Sequence, residues 1–145
     1  MTILKVEGVT HWSIPVNDLA EAEEFYGELL GLAPVGRLGN NIMSCFNVGD
    51  HNILLCERPN PVDGPLPEDA GVHHSFTVSP ETFDLACKVF HERNIRIEHL
   101  TYRARGVFCG RELYFFDSSG NRLELRDPTW VEGMPEPPFE EIAGA

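Results

Sequence analysis

Two stretches of this chain echo each other, and each begins with a histidine. They are His11-Trp-Ser-Ile-Pro-Val16 and His73-His-Ser-Phe-Thr-Val78, alternating runs that each lead into an amphipathic helix. A later segment, Gly120-Asn-Arg-Leu-Glu124, adds a carboxylate. Two imidazoles and a carboxylate form a donor set for a divalent cation. A metal held between two repeats, and therefore an enzyme, is the chemistry that His11, His73 and Glu124 suggest.

The elements that must position these residues follow from periodicity. From Val9 to Val16, Trp12, Ile14 and Val16 share one face of a strand, and His11, Ser13 and Pro15 share the other. Asn17-Asp18 supplies capping side chains for a helix whose apolar positions are Leu19, Ala22, Phe25/Tyr26 and Leu29, with Gly31 placed to stop it. The second half repeats the pattern. Phe76 and Val78 make the apolar face, with His73, Ser75 and Thr77 opposite and His74 on the helix-facing side. Ser79-Pro80 then opens a helix with the core stripe Phe83, Ala86 and Phe90.

Strand-like segments follow each helix. They are Ile42–Val48 and Asn52–Cys56 in the first half, and Leu113–Phe116 and Arg122–Leu125 in the second. The turn signals Gly49-Asp50 and Ser118-Ser-Gly-Asn121 separate them. Each half thus reads as a strand, a helix and about three strands, an α+β arrangement of two tandem modules. The boundaries are module one at 7–59, a proline-bearing linker at 60–71, module two at 72–128 and an extended tail at 129–145. Sheets that each present a histidine on one face would bring them together if a pseudo-twofold axis relates the halves.

At 145 residues, with 42% hydrophobic and 23% charged side chains, the chain reads as a single globular domain. A formal charge of −12 and a pI near 4.8 argue against nucleic acid, whose phosphates need clustered Lys and Arg. A cationic ligand remains compatible, although part of the acidic excess lies in the segment from Glu132 to Glu141 and serves solubility. No apolar run is long enough to span a membrane, and the first residues lack a basic stretch followed by an apolar one, so a cytoplasmic location is expected. Cys45, Cys56, Cys87 and Cys109 form no C-x-x-C pair and read as reduced, mostly buried thiols.

At this point the chain resembles the vicinal oxygen chelate superfamily, which includes glyoxalase I, fosfomycin-resistance proteins, bleomycin-binding proteins and extradiol dioxygenases. The resemblance covers about residues 7–128. It rests on His11-x-x-Ile-x-Val-x-Asp18 with Phe25-Tyr26 and Leu30-Gly31-Leu32, on His73-x-x-Phe-x-Val, and on Tyr114-Phe-Phe-Asp-x-x-Gly-Asn-x-Leu-Glu124. It implies paired βαβββ modules whose sheets curl round a divalent metal, with His11, His73 and Glu124 as ligands by position. It also implies a homodimer acting on a small-molecule substrate, and leaves open whether one chain or two complete the site. Two neutral imidazoles and one carboxylate leave coordination positions for substrate or oxygen, as in non-haem Fe(II) sites. Fe(II) is the metal expected; Mn(II), Zn(II) and Ni(II) stay open.

The reaction is read from the positions around this triad. Counting four residues back from Pro59 and from Pro128 sets Leu55 opposite Glu124, where glyoxalase I members carry a fourth ligand; Glu57, two residues on, is a candidate for a displaced one. Parity with Ile53 and Leu55 aims His51 at the site. Gly49-Asp-His51-Asn-Ile-Leu-Leu55 is similar to the extradiol segment whose histidine is an acid–base catalyst, and Tyr114 matches a tyrosine beside the substrate oxygen. The resemblance therefore implies extradiol cleavage of a catechol-like compound, with His51 moving protons and Tyr114 donating to a bound oxygen. The alternatives are a glyoxalase- or fosfomycin-type isomerase, hydrolase or thiol transferase, and a drug-binding protein of the bleomycin-sequestering kind. Arg111-Glu-Leu-Tyr114-Phe-Phe-Asp117 and Ser13 are similar to the fosfomycin group, but Ala104 and Gly133 stand where that group has anion-binding Lys and Arg. Arg103, Arg105 and Arg111 are candidates to replace them if their loop folds over the site.

Overall fold

The computed structural model describes all residues, Met1–Ala145. They form two compact units, Met1–Val62 and Asp63–Ala145. In the first, β1 (His11–Val16) is followed by α1 (Leu19–Glu23), a π-helical segment (Glu24–Leu29), β2 (Ala33–Leu38), β3 (Met43–Val48) and β4 (His51–Glu57). In the second, β5 (His74–Thr77) is followed by α2 (Pro80–Glu92), β6 (Ile97–Arg103), β7 (Gly110–Phe116), β8 (Arg122–Asp127) and α3 (Phe139–Ala143). The sheets run β1-β4-β3-β2 and β5-β8-β7-β6, with the first pair of each parallel and the rest antiparallel. Two tandem βαβββ modules are therefore present, each with the same strand order.

Each helix starts where the capping side chains require. Asp18 accepts from the Glu21 amide at 2.9 Å, and Ser79 from the Thr82 amide at 3.1 Å. In the first unit α1 widens into the π-helical segment, where the neighbours Phe25 and Tyr26 are both buried. Ile14, Val16, Phe46, Ile53 and Leu55 complete this core. In the second unit Phe83, Cys87 and Phe90 of α2 meet Leu113, Phe115 and Leu123 of the sheet. Burial at this site pushes the Cys87 thiol up to about 12, so it stays protonated. All four cysteines are free, two buried and two half-buried.

The expected linker and tail take on more structure than the sequence suggests. The linker carries a turn of 3-10 helix at Pro67–Asp69, and the Gly64 backbone lies against Gly120. The tail is not simply extended. Tyr102 donates to the Pro137 carbonyl, Trp130 Nε1 to the Pro135 carbonyl at 3.0 Å, and α3 packs on α2. Edge strands β2 and β6 lie where no strand boundaries were read.

Candidate metal centre

His73 immediately precedes β5, and its Nδ1 lies 3.0 Å from the Gly71 carbonyl oxygen. A carbonyl only accepts, so Nδ1 carries the proton, and in the neutral ring Nε2 keeps its lone pair. That lone pair faces Glu124 Oε1 at 3.6 Å. In that form two acceptors converge, an arrangement a divalent cation held by both would relieve. The carbonyl behind the imidazole orients the ring, as the hydrogen-bond partners behind metal-bound histidines do. The donor set thus fits a metal. Neither unit by itself gathers three such ligands. His11, at the head of β1 in the first unit, is exposed, with its Nδ1 3.1 Å from Thr10 Oγ1.

Period-two geometry builds the rest of the site in the second unit. Leu113, Phe115, Leu123 and Leu125 turn to α2, so Glu112, Tyr114, Glu124 and Arg126 turn to the other face. There they bound a cavity of about 650 Å³, bordered on its rim by Arg103 and by the loop 104–109 with Arg105 and Phe108. Tyr114 donates to Glu112 Oε2 at 2.7 Å, stacks on His99 at 4.7 Å and meets His73 edge-on at 5.5 Å. Burial pushes the Tyr114 hydroxyl well up, and its carboxylate neighbours Glu112 and Glu124 push it further, so it remains a proton donor at neutral pH. Burial also pushes Glu112 up, but hydrogen bonds from Arg103, at 2.8 Å, and from Tyr114 outweigh it and hold the carboxyl below its usual range.

Several sequence-based placements change. The register Ser13↔Leu54 in the first sheet matches Ser75↔Glu124 in the second, so Leu54, not Leu55, is the counterpart of Glu124. The count from the prolines is off by one residue, and one residue exchanges the faces of a strand. Asn52, Leu54 and Cys56 share the side of His11. His51, Ile53, Leu55 and Glu57 share the side of the buried Ile14 and Val16, towards the helix. His51 is therefore not aimed at the face that carries His11. Glu57 is engaged elsewhere, its Oε2 accepting from the Leu19 amide at the start of α1 at 2.7 Å. Arg111 also leaves the rim. It is buried on the helix side of β7, bonded to Asp127 at 2.7 Å, Asp84 at 2.8 Å and the Pro80 carbonyl at 3.1 Å. Glu112 and Arg126 went unnoticed as site residues, although each stands two positions from Tyr114 or Glu124 and parity alone would have found them.

The family model of the Glyoxalase/Bleomycin resistance protein/Dioxygenase superfamily matches residues 8–125. The metallothiol transferase FosB of Staphylococcus haemolyticus is 27% identical over 120 residues, 83% of this chain and 83% of the relative. Among solved structures, a glyoxalase/dioxygenase from Nostoc punctiforme superposes with a TM-score of 0.67 at 25% identity, covering 87% of this chain and 98% of that one. The fosfomycin resistance protein FosX of Listeria monocytogenes, complexed with Mn(II) and sulfate, shares the fold with a TM-score of 0.67 at 18% identity, over 85% and 91% of the two chains.

Proposed function

The chain belongs to the glyoxalase, bleomycin-resistance and dioxygenase superfamily, the vicinal oxygen chelate proteins, and we propose that it is a metal-dependent enzyme adding a thiol or water to a small oxygenated compound. The observation that carries this reading is the convergence of the free His73 Nε2 and Glu124 Oε1, 3.6 Å apart on the wall of a cavity large enough for a small substrate. His11, from the first unit of the same chain or of a partner in a homodimer, is proposed as the third ligand. When bound, the metal supplies a Lewis acid that draws developing charge onto a substrate oxygen. Tyr114, kept protonated, gives its single O–H to Glu112 in the structure and turns it to that oxygen when substrate enters. Glu112 holds the Tyr114 hydroxyl in place until then, and the exposed Val107 and Phe108 give the rim apolar surface. Mn(II) is the first ion to test, since a fold relative was solved with it.

A transfer or hydrolysis reaction is preferred to the Fe(II) ring-cleaving one for two reasons. A relative of matching length is a metallothiol transferase, and the residue expected to move protons in ring cleavage, His51, shares the helix-facing side of β4. The test is metal content followed by turnover. Full-length protein reconstituted with Mn(II) should hold about one ion per chain, and His73→Ala and Glu124→Ala should hold less than a tenth of that. Loaded protein should then convert an epoxide such as fosfomycin with glutathione or water, read by mass spectrometry. Wild-type protein that takes up no divalent metal would overturn the reading. Loaded protein that consumes O₂ with catechols, and leaves epoxides intact, would restore the dioxygenase alternative.

A further inference from the structure

Two rows of side chains cross the cavity face of the second sheet in register. Ser75, Glu124, Tyr114 and His99 form one; Thr77, Arg126, Glu112 and Thr101 form the other. The rows are two residues apart on each strand, about 7 Å. The first row holds the candidate ligand Glu124. The second holds charge for which the metal has no use.

Arg126 lies in this row with its Nε buried and without a hydrogen-bond partner. Its Nη2 donates to the Cys109 carbonyl at 3.0 Å, while the carboxylate oxygen facing Nε, Glu124 Oε2, is 3.7 Å away, beyond hydrogen-bond reach. An N–H left unpaired in a buried position is costly, and an acceptor entering the cavity would remove that cost. Arg105 lines the same cavity with no carboxylate partner, and the exposed Thr77 stands opposite Arg126 in the strand pairing. The third cation, Arg103, is occupied by Glu112. Three cations and a hydroxyl therefore face two fixed carboxylates, Glu112 and Glu124, which leaves one positive charge for an entering anion. Glu112 Oε1 lies 3.7 Å from Arg126 Nη2, so whatever binds Arg126 also meets Glu112, and that repulsion grows with the charge of the ligand.

We infer that Arg126, with Arg105 and Thr77, is a subsite for a substrate carboxylate, and that Glu112 selects this singly charged group over a doubly charged phosphate or phosphonate. The inference deepens the proposed function and rests on it for the reacting end of the substrate, but binding of the anion itself needs no metal. The substrate class is then a small organic acid whose oxygenated end and carboxylate are separated by a spacer of several bonds.

The experiment uses full-length protein without added metal, with the Arg Nε–H signals followed by ¹⁵N–¹H NMR. Butyrate should shift the Arg126 signal saturably. Butyramide should leave it unmoved, and methylphosphonate, at a pH where it is a dianion, should bind at least tenfold more weakly. Arg126→Lys keeps the positive charge but removes Nε–H, and should raise the butyrate Kd at least tenfold; Arg105→Gln, away from the sheet, should raise it about threefold. Glu112→Gln should narrow or reverse the preference against methylphosphonate. No saturable shift with butyrate, or an equal one with butyramide, would overturn the subsite. Methylphosphonate binding as tightly as butyrate to wild-type protein would overturn the role of Glu112. A failure of Glu124 to take metal would sink the enzyme reading alone, because none of these outcomes involves a metal.

Discussion

Glu57 presents its carboxylate to the Leu19 amide in the first turn of α1, where unpaired amides and the helix dipole favour negative charge. Glu57→Ala should therefore cost about 1 kcal/mol in denaturant unfolding and leave the metal content unchanged. His51→Ala should keep kcat/KM within about twofold, as expected for a residue outside the cavity. Tyr114→Phe removes a donor aimed along the cavity wall and should lower kcat by about tenfold to a hundredfold while the protein keeps its metal. These contrasts mark what the sequence could disclose at the level of single residues. His73 and Glu124 were legible because each sits in an alternating run with one apolar face, which fixes where the other face points. His51 was misplaced because a count from prolines fixes distance along the chain but not register, and only the pairing of Ser13 with Leu54 decides parity. Arg111 misled for a related reason. It follows a basic loop in sequence, yet the strand turns it to the opposite side, against Asp84 and Asp127.

At the scale of elements, β8 and its flanking turns tie the cavity wall to the core behind it. Burial pushes the Asp127 carboxyl up, but hydrogen bonds from Thr129 and Arg111 outweigh this and hold it below its ordinary value. A carboxyl with a lowered folded-state pKa stabilises the fold above its unfolded value, near 3.9, and loses that contribution as pH falls through the folded one. Stability should therefore decline below about pH 4, and Asp127→Asn should flatten that part of the profile in acid titrations followed by circular dichroism. The turn before β8 is equally constrained. Gly120 has φ +82°, and a Cβ there would lie 2.5 Å from the Gly64 carbonyl carbon, so Gly120→Ala should cost more than about 2 kcal/mol in a chemical melt. The elements the sequence revealed are those with contrast between their faces. Strand β2 is exposed throughout and no residue of β6 is buried, so neither carries an alternation to read. The π-helical segment was hidden because an adjacent buried pair such as Phe25 and Tyr26 also occurs in the regular helix α2, at Ala86 and Cys87.

For the molecule as a whole, the repeat seen in the sequence became two modules with one strand order, and the same periodicity argument held in each. The modules differ in what they offer: Leu54 stands where the second module has Glu124. Mn(II) at a hundred times its Kd should stabilise the protein by about 2.7 kcal/mol. A rise in Tm should follow that is absent in Glu124→Ala and preserved in His51→Ala, as scanning calorimetry would show. No helix is long and apolar enough to cross a membrane. The cavity wall divides the labour in one further respect. Four of its twelve residues, Arg105, Gly106, Val107 and Phe108, come from a single short loop, whereas the sheet supplies the remaining polar groups and at the same time holds up the core. Part of the preference among substrates is thus written in a stretch of chain that the core does not use. A lineage, or a library confined to a few codons, can explore new chemistry at the rim while the inherited scaffold stays untouched.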